Sequence, residues 1–287
     1  MKEQQYILEN VKSFEPKHIF ECGQCFRWNK EEDTSYTGVF KNNVLNVKKD
    51  GNNIIFKGIC EGNIDEICKE YFDLETNYEE IKKKLSNIDE YLETSINYGE
   101  GIRILNQDLW ETIISFEISA NNNIPRIKGI IERISKKYGN EIKWNEKSYY
   151  TFPNIEELSK ASIEDLRALG LGFRDKRIYE TTQIFLNGEM NLEELKNEKD
   201  TEKVREKLLT LPGIGPKVAD CILLFSLKRY EVFPIDVWVR RVMNDLYIHN
   251  QDEEKVSKKD LQKLAKDKYS SLAGLAQQYL FYWKRDA

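Results

Sequence analysis

The sequence predicts an α+β protein: a small N-terminal antiparallel β-sheet subdomain packed on a mainly helical domain. Three observations point there. The chain has 287 residues, about twice the roughly 150 residues expected of one domain. Before residue 80 apolar and polar positions alternate in twos between turn residues, and after Tyr78 the apolar residues recur at threes and fours. The division is expected at residues 1–98 and 99–287, with a helix-hairpin-helix near 204–226.

The alternating segments are Phe26-Arg27-Trp28, Tyr36 to Phe40, Val44 to Val47 and Ile54 to Phe56. Asp50-Gly51 between the last two is a hairpin signal, because glycine supplies the positive φ of a tight turn. The helical spacing begins with Ile81, Leu85, Ile88 and Leu92 and returns in Ile113, Ile114, Phe116 and Ile118. The polar stretches at 197–200 and 252–255 read as solvated connections or helix surface, and no internal repeat is visible.

Composition narrows the function classes. Hydrophobic residues at 40% and charged residues at 32% exclude a disordered chain. No run approaches the roughly 20 apolar residues that cross a bilayer, and the N-terminus lacks the basic-then-apolar order of a secretory signal. A cytoplasmic protein without membrane partners is the expectation. Five cysteines and two histidines, with a single CxxC pair at Cys22 and Cys25, make disulfides, a zinc site and histidine catalysis poor readings, so neither metal nor cofactor is expected. A redox role for the CGQC pair lacks the surrounding βαβ pattern. The net charge of −5 requires any nucleic-acid surface to be local. Such a patch lies at 217–241, where Lys217, Lys228, Arg229, Arg240 and Arg241 outnumber Asp220, Glu231 and Asp236.

The most informative segment is LLTLPGIGPKVADCILLFSLKRYEVFPIDVWVRR at 208–241. A helix ends at Leu209, then Pro212, Gly213 and Gly215 make a tight turn. Pro216 opens a second helix at a position where its missing N–H is harmless. Two glycines beside a fresh helix N-terminus leave backbone N–H groups facing outward, which suits a phosphate oxygen; a plain connection between packed helices would use the same residues. Lys217 sits in the first helical turn, at the positive end of the helix dipole, where a fixed cation is disfavoured and a neutral amine is a competent nucleophile. A solvent-facing lysine is the alternative. Asp236 opens the next helix, either as a plain N-cap or as a carboxylate that also stabilises positive charge on a ligand.

These strings resemble the 8-oxoguanine DNA glycosylase branch of the helix-hairpin-helix-GPD superfamily. GQCFRW at 23–28, GIRILNQDLWETIISFEISANNNIPRI at 101–127, LGLGFR at 169–174 and, more loosely, AQQYLF at 276–281 match that family in order. The resemblance implies a base-excision repair enzyme acting as a monomer on double-stranded DNA containing 8-oxoguanine, in the cytoplasm or on the nucleoid of a prokaryote. It implies that Lys217 attacks the sugar C1′ of a flipped nucleotide, and that Asp236 stabilises the oxocarbenium character of that sugar. The Gly23 carbonyl would accept N7–H, Cys221 and Phe281 would sandwich the base, and Gln277 would read its edge. Asn121 would fill the vacated stack and, with Arg126 and Arg174, read the orphaned cytosine; Phe173 would wedge where the family commonly has tyrosine, and Gly213 and Gly215 would hold phosphate. Trp238 departs from the histidine of the eukaryotic enzymes. The four closely spaced cysteines of iron–sulfur members do not occur. An alkylated-base glycosylase of the same fold and a non-enzymatic DNA-binding protein are the rival readings; Lys217 opposes the first, and the pairing of Lys217 with Asp236 the second.

Overall fold

The alternating N-terminal segments pair into a five-stranded antiparallel sheet. In this computed structural model, which describes residues 2–252 and 255–286, the strands are β1 (Lys2–Leu8), β2 (Trp28–Lys30), β3 (Tyr36–Phe40), β4 (Asn43–Asp50) and β5 (Asn53–Cys60), in the order β1-β5-β4-β3-β2. The expected Asp50-Gly51 turn joins β4 to β5, with Asp50 opposite Asn53. An edge strand that the sequence pattern did not announce, β1, pairs along β5 from Lys2↔Cys60 to Leu8↔Ile54. Helices α1 (Pro16–Phe20) and α2 (Ile64–Tyr71) cover one face. The core between them is aromatic: Phe20 stacks on Trp28 at 4.1 Å and Phe40 on Tyr71 at 3.9 Å.

The apolar spacing from Ile81 to Leu92 forms two helices, not one: α3 (Tyr78–Ser86) and α4 (Glu90–Tyr98). Asp89 breaks the run by capping α4, accepting from Leu92 N at 2.9 Å. Tyr78, Leu85, Leu92 and Ile96 pack into the larger, helical core. That core is centred on α5 (Leu109–Ser119), most of whose side chains are buried. Around it lie α6 (Ile124–Tyr138), α7 (Ile155–Leu158), α8 (Ile163–Ala168), α9 (Asp175–Leu186), α10 (Leu192–Asn197), α11 (Thr201–Leu209), α12 (Pro216–Leu227), α13 (Val237–Met243), α14 (Lys258–Tyr269) and α15 (Ala273–Asp286). A hairpin of β6 (Glu141–Trp144) and β7 (Lys147–Tyr150) interrupts the helices and ties back to the sheet through Trp144 Nε1 donating to Glu3 at 2.9 Å. Of the polar stretch at 252–255, Glu253 and Glu254 lie outside the described residues.

Buried polar groups lock the two parts together. Arg103 donates to Ser13 O at 2.8 Å and Asp73 O at 2.6 Å. Asp73, itself buried, accepts from Tyr78, Tyr230 and Lys228 at 3.0, 3.1 and 2.7 Å. Such groups are tolerated in an interior only when satisfied.

Candidate active site

The hairpin between α11 and α12 is anchored by Leu211 and Ile214, both buried. Gly213 between them has φ +79°, and a Cβ there would lie 2.6 Å from Arg177 Cδ. Glycine is required by the left-handed backbone, and its bare Cα also leaves room for the Arg177 side chain. Gly215 is the N-cap of α12 and faces open space. Neither glycine N–H donates to an acceptor among the described residues. Behind the hairpin Arg205 of α11 bonds the buried Asp220 of α12, whose carboxyl burial pushes up to about 6 against the pull of that arginine. This pair clamps the two helices at a set angle.

Lys217, in the first turn of α12, is half-buried, and its Nζ lies 5.5 Å from the centre of the Phe116 ring. One turn further along, Cys221 is buried with its thiol pushed up to about 11 by desolvation; the Lys217 ammonium opposes that shift, while the carboxylates of Asp220 and Asp236 add to it. Lys217 and Asp236 thus both act on one sulfur. Asp236 arrives there because Val232, Phe233 and Ile235 are buried ahead of it. Its Oδ1 accepts from Val239 N at 2.8 Å, capping α13. The cap expected at this position is present, and it occupies one of the two carboxylate oxygens. The following residues, Val237 and Trp238, are 52% and 50% exposed.

A second group forms where the chain ends meet. Gly23 has φ +87°, and a Cβ on it would lie 3.6 Å from Phe281 Cε1. The strand of loop that carries it is held from several sides by the fully buried Gln24, which donates to Ile19 O and Arg103 O at 2.9 and 2.8 Å and accepts from Leu105 N at 2.9 Å. Arg285 on α15 also donates to Glu21 O at 2.6 Å. Gln277, one turn before Phe281, is buried and accepts from Gln278 Nε2 at 2.7 Å. Cys22 and Cys25 are buried free thiols. Each is raised by desolvation, Cys22 to about 11, which disfavours the reactive thiolate and gives the CGQC redox reading no support.

The third group is the asparagine turn. Asn121 is exposed at φ +52°, and Asn123 caps α6 by accepting from Arg126 N at 3.0 Å. Arg126 is exposed and reaches Gly170 O at 3.2 Å. Arg174 is placed otherwise than a base-reading arginine requires. It is 1% exposed, and its guanidinium donates to Ala120 O at 3.0 and 2.7 Å, Asn121 O at 2.7 Å and Leu171 O at 3.3 Å. The carbonyls ending α5 lack helical partners, and Arg174 satisfies them; reading a base would need those bonds to open. Phe173 beside it is 57% exposed, its ring 4.2 Å from the Arg174 guanidinium carbon.

Sequence reasoning passed over three residues here: Phe116 beneath Lys217, Glu117 buried next to it, and Arg177 against Gly213. A glutamate inside the apolar run IISFEIS was the available signal. Among the described residues no cluster of histidine, cysteine and carboxylate side chains could hold a metal ion, and no helix is long and apolar enough to cross a membrane.

Comparison with known proteins gives two family matches. Residues 6–113 match the 8-oxoguanine DNA glycosylase N-terminal domain, and residues 114–267 match the HhH-GPD superfamily of base excision DNA repair proteins. A probable N-glycosylase/DNA lyase of Methanothermobacter thermautotrophicus is 34% identical over 230 residues, 73% of this chain and 71% of that protein. The 8-oxoguanine glycosylase/lyase of Clostridium acetobutylicum in its apo form is 43% identical with a TM-score of 0.92 over 98% of both chains. The same enzyme in complex with double-stranded DNA containing cytosine opposite 8-oxoguanine is 42% identical, with a TM-score of 0.93 over 99% of this chain and 97% of that one.

Proposed function

The chain belongs to the 8-oxoguanine DNA glycosylase family within the HhH-GPD superfamily, and from that premise we propose that it excises 8-oxoguanine from duplex DNA and nicks the resulting strand as a bifunctional glycosylase/lyase of base excision repair. The observation that carries the reading is the gathering of Lys217, Cys221 and Asp236 at the N-terminus of α12, directly after a hairpin with two unspent backbone N–H groups.

The chemistry follows from these groups. A phosphate flanking the flipped nucleotide sits on the Gly213–Gly215 turn, which brings the sugar to Lys217. As the bond between C1′ and N9 breaks, its electron pair leaves with the base, and the Asp236 carboxylate stabilises the positive charge that grows on the sugar. The neutral amine of Lys217 attacks C1′, loses its proton, and after ring opening forms a Schiff base. Loss of a C2′ proton then expels the 3′ phosphate, and water hydrolyses the imine to free the lysine. Asp236 serves with one oxygen as a cap and with its charge as the electrostatic partner.

Base recognition falls to the second group. The Gly23 carbonyl accepts N7–H of 8-oxoguanine, a proton that guanine lacks, and the contact between Gly23 and Phe281 supports one face for both. Cys221 takes the other face of the base and Gln277 its edge. Asn121 fills the gap in the stack, Phe173 wedges beside it, and Arg126 contacts the orphaned cytosine, while Arg174, expected to share that contact, holds the turn from beneath and reaches the base only if its bonds to Ala120 O and Asn121 O open. Incubating the protein with a duplex carrying one 8-oxoguanine opposite cytosine tests the proposal: free 8-oxoguanine and a nicked strand are expected, and intact substrate at saturating enzyme would contradict it.

A further inference from the structure

Arg177 has no part in that scheme, yet its surroundings are unusual for a half-buried arginine. It lies one helical turn after Arg174 at the start of α9, and it makes no hydrogen bond or ion pair among the described residues. Its side chain runs across the hairpin: a Cβ on Gly213 would lie 2.6 Å from Arg177 Cδ, 3.0 Å from Nη1 and 3.1 Å from Nε. Its guanidinium carbon is 5.3 Å from the centre of the exposed Phe173 ring. Five N–H donors are therefore unspent at a place that neighbours both the hairpin and the wedge.

Beneath it lies Glu117 of α5, 1% exposed, with no ion pair to either carboxylate oxygen among the described residues. The Thr181 hydroxyl alongside is buried and lies close enough to act on that carboxyl as a hydrogen-bond donor. Burial pushes the Glu117 carboxyl up to about 8; Thr181 and Arg177 pull it back and Glu180 adds to the rise. Among the described residues the charged groups acting on it, Arg177 and Glu180, both lie on α9, and none comes from α6 or α12, which also pack on α5. At neutral pH the carboxyl keeps its proton and leaves the guanidinium without a counter-charge. The chemical match for that fork is a phosphate diester.

We propose that Arg177 is a second phosphate grip of this chain, a cation that closes the Gly213–Gly215 cradle beside the Phe173 wedge, with Glu117 as the positioning residue that governs its availability. The proposal rests on the duplex-DNA reading above and adds to it a residue that none of the matched motifs contains.

The test is equilibrium binding of a duplex carrying a stable abasic-site analogue opposite cytosine, measured over a salt series. Each neutralised phosphate contributes about 0.9 to the slope of log affinity against log salt. Arg177→Met is expected to weaken binding and lower that slope by about one, and Arg177→Lys to keep it. A wild-type slope in Arg177→Met would overturn the grip. Between pH 7 and 9 ionised Glu117 draws Arg177 inward, so wild-type affinity is expected to fall, whereas Glu117→Gln and Arg177→Met lose that pH dependence. An unchanged dependence in Glu117→Gln would overturn its positioning role. If the wild type failed to excise 8-oxoguanine, the substrate reading would fall while the slope would still decide the role of Arg177.

Discussion

Replacing Glu117 by glutamine should change how stability varies with pH, by an amount that the structure sets. The carboxyl is held at about 8 against an ordinary 4.5, with burial as the main cause. Because the folded value is raised, the native state binds the proton more tightly than the unfolded chain. Its contribution is fully present below about pH 4.5 and is lost as pH rises toward 8, at about 1.4 kcal/mol per pH unit. At pH 7 the loss amounts to roughly 2–4 kcal/mol, a large share of the 5–15 kcal/mol typical of a folded domain. Glutamine keeps the shape and cannot titrate. Its fixed cost, a buried amide in place of a buried acid, is read at the acid end, where both side chains are neutral. Urea unfolding of both proteins at half-unit steps from pH 4.5 to 8.5 gives the difference directly. Other buried acids such as Asp220 cancel in that difference. Glu117→Gln should gain steadily on the wild type up to about pH 8 and then level off. A difference constant to within about 0.5 kcal/mol over this range would show that Glu117 is ionised in the native state, and the argument for an unneutralised Arg177 would go with it.

Two further perturbations separate structural from chemical roles at the proposed site. Asp236→Asn keeps an oxygen for the Val239 N–H but loses the charge, so the unfolding free energy from urea titration should change by less than about 1 kcal/mol while single-turnover base release falls at least 10²-fold; full excision by a destabilised variant would leave Asp236 as a cap alone. Arg126 is the exposed arginine of the turn, so Arg126→Ala should reduce the preference for cytosine over adenine opposite the lesion by about 1–3 kcal/mol, read as the ratio of single-turnover rates. Equal rates for the two opposite bases in the wild type would remove base reading from this arginine.

What was legible in the sequence was what is local in space. Pro212, Gly213, Gly215 and Pro216 dictate a turn and a helix start through their own backbone limits, and Asp236 caps the helix that begins one residue later. The Asp50-Gly51 hairpin was legible for the same reason. Strand β1 was not, because KEQQYIL carries only a weak alternation and owes its conformation to pairing with β5. The β6–β7 hairpin escaped as well: its turn uses Asn145 and Glu146 at positive φ without a glycine to mark it. Within the site, the meeting of Gly23 with Phe281 depends on chain ends that only tertiary packing brings together. The same holds for Arg174, whose type suggested base contact but whose burial against the carbonyls of the asparagine turn follows from how α5 ends. Glu117 broke the apolar pattern of α5, and that break, a charged residue type at a core position, is a local inconsistency that the sequence shows and that the proposed role of Arg177 would account for.

The central claim is that the Lys217 amine becomes covalently joined to the sugar. Incubation with an 8-oxoguanine:cytosine duplex in the presence of borohydride should reduce the Schiff base and leave a stable adduct of protein and DNA. Lys217→Gln should bind the same duplex, release no base and give no adduct. Adduct formation by that variant at the wild-type level would contradict the account.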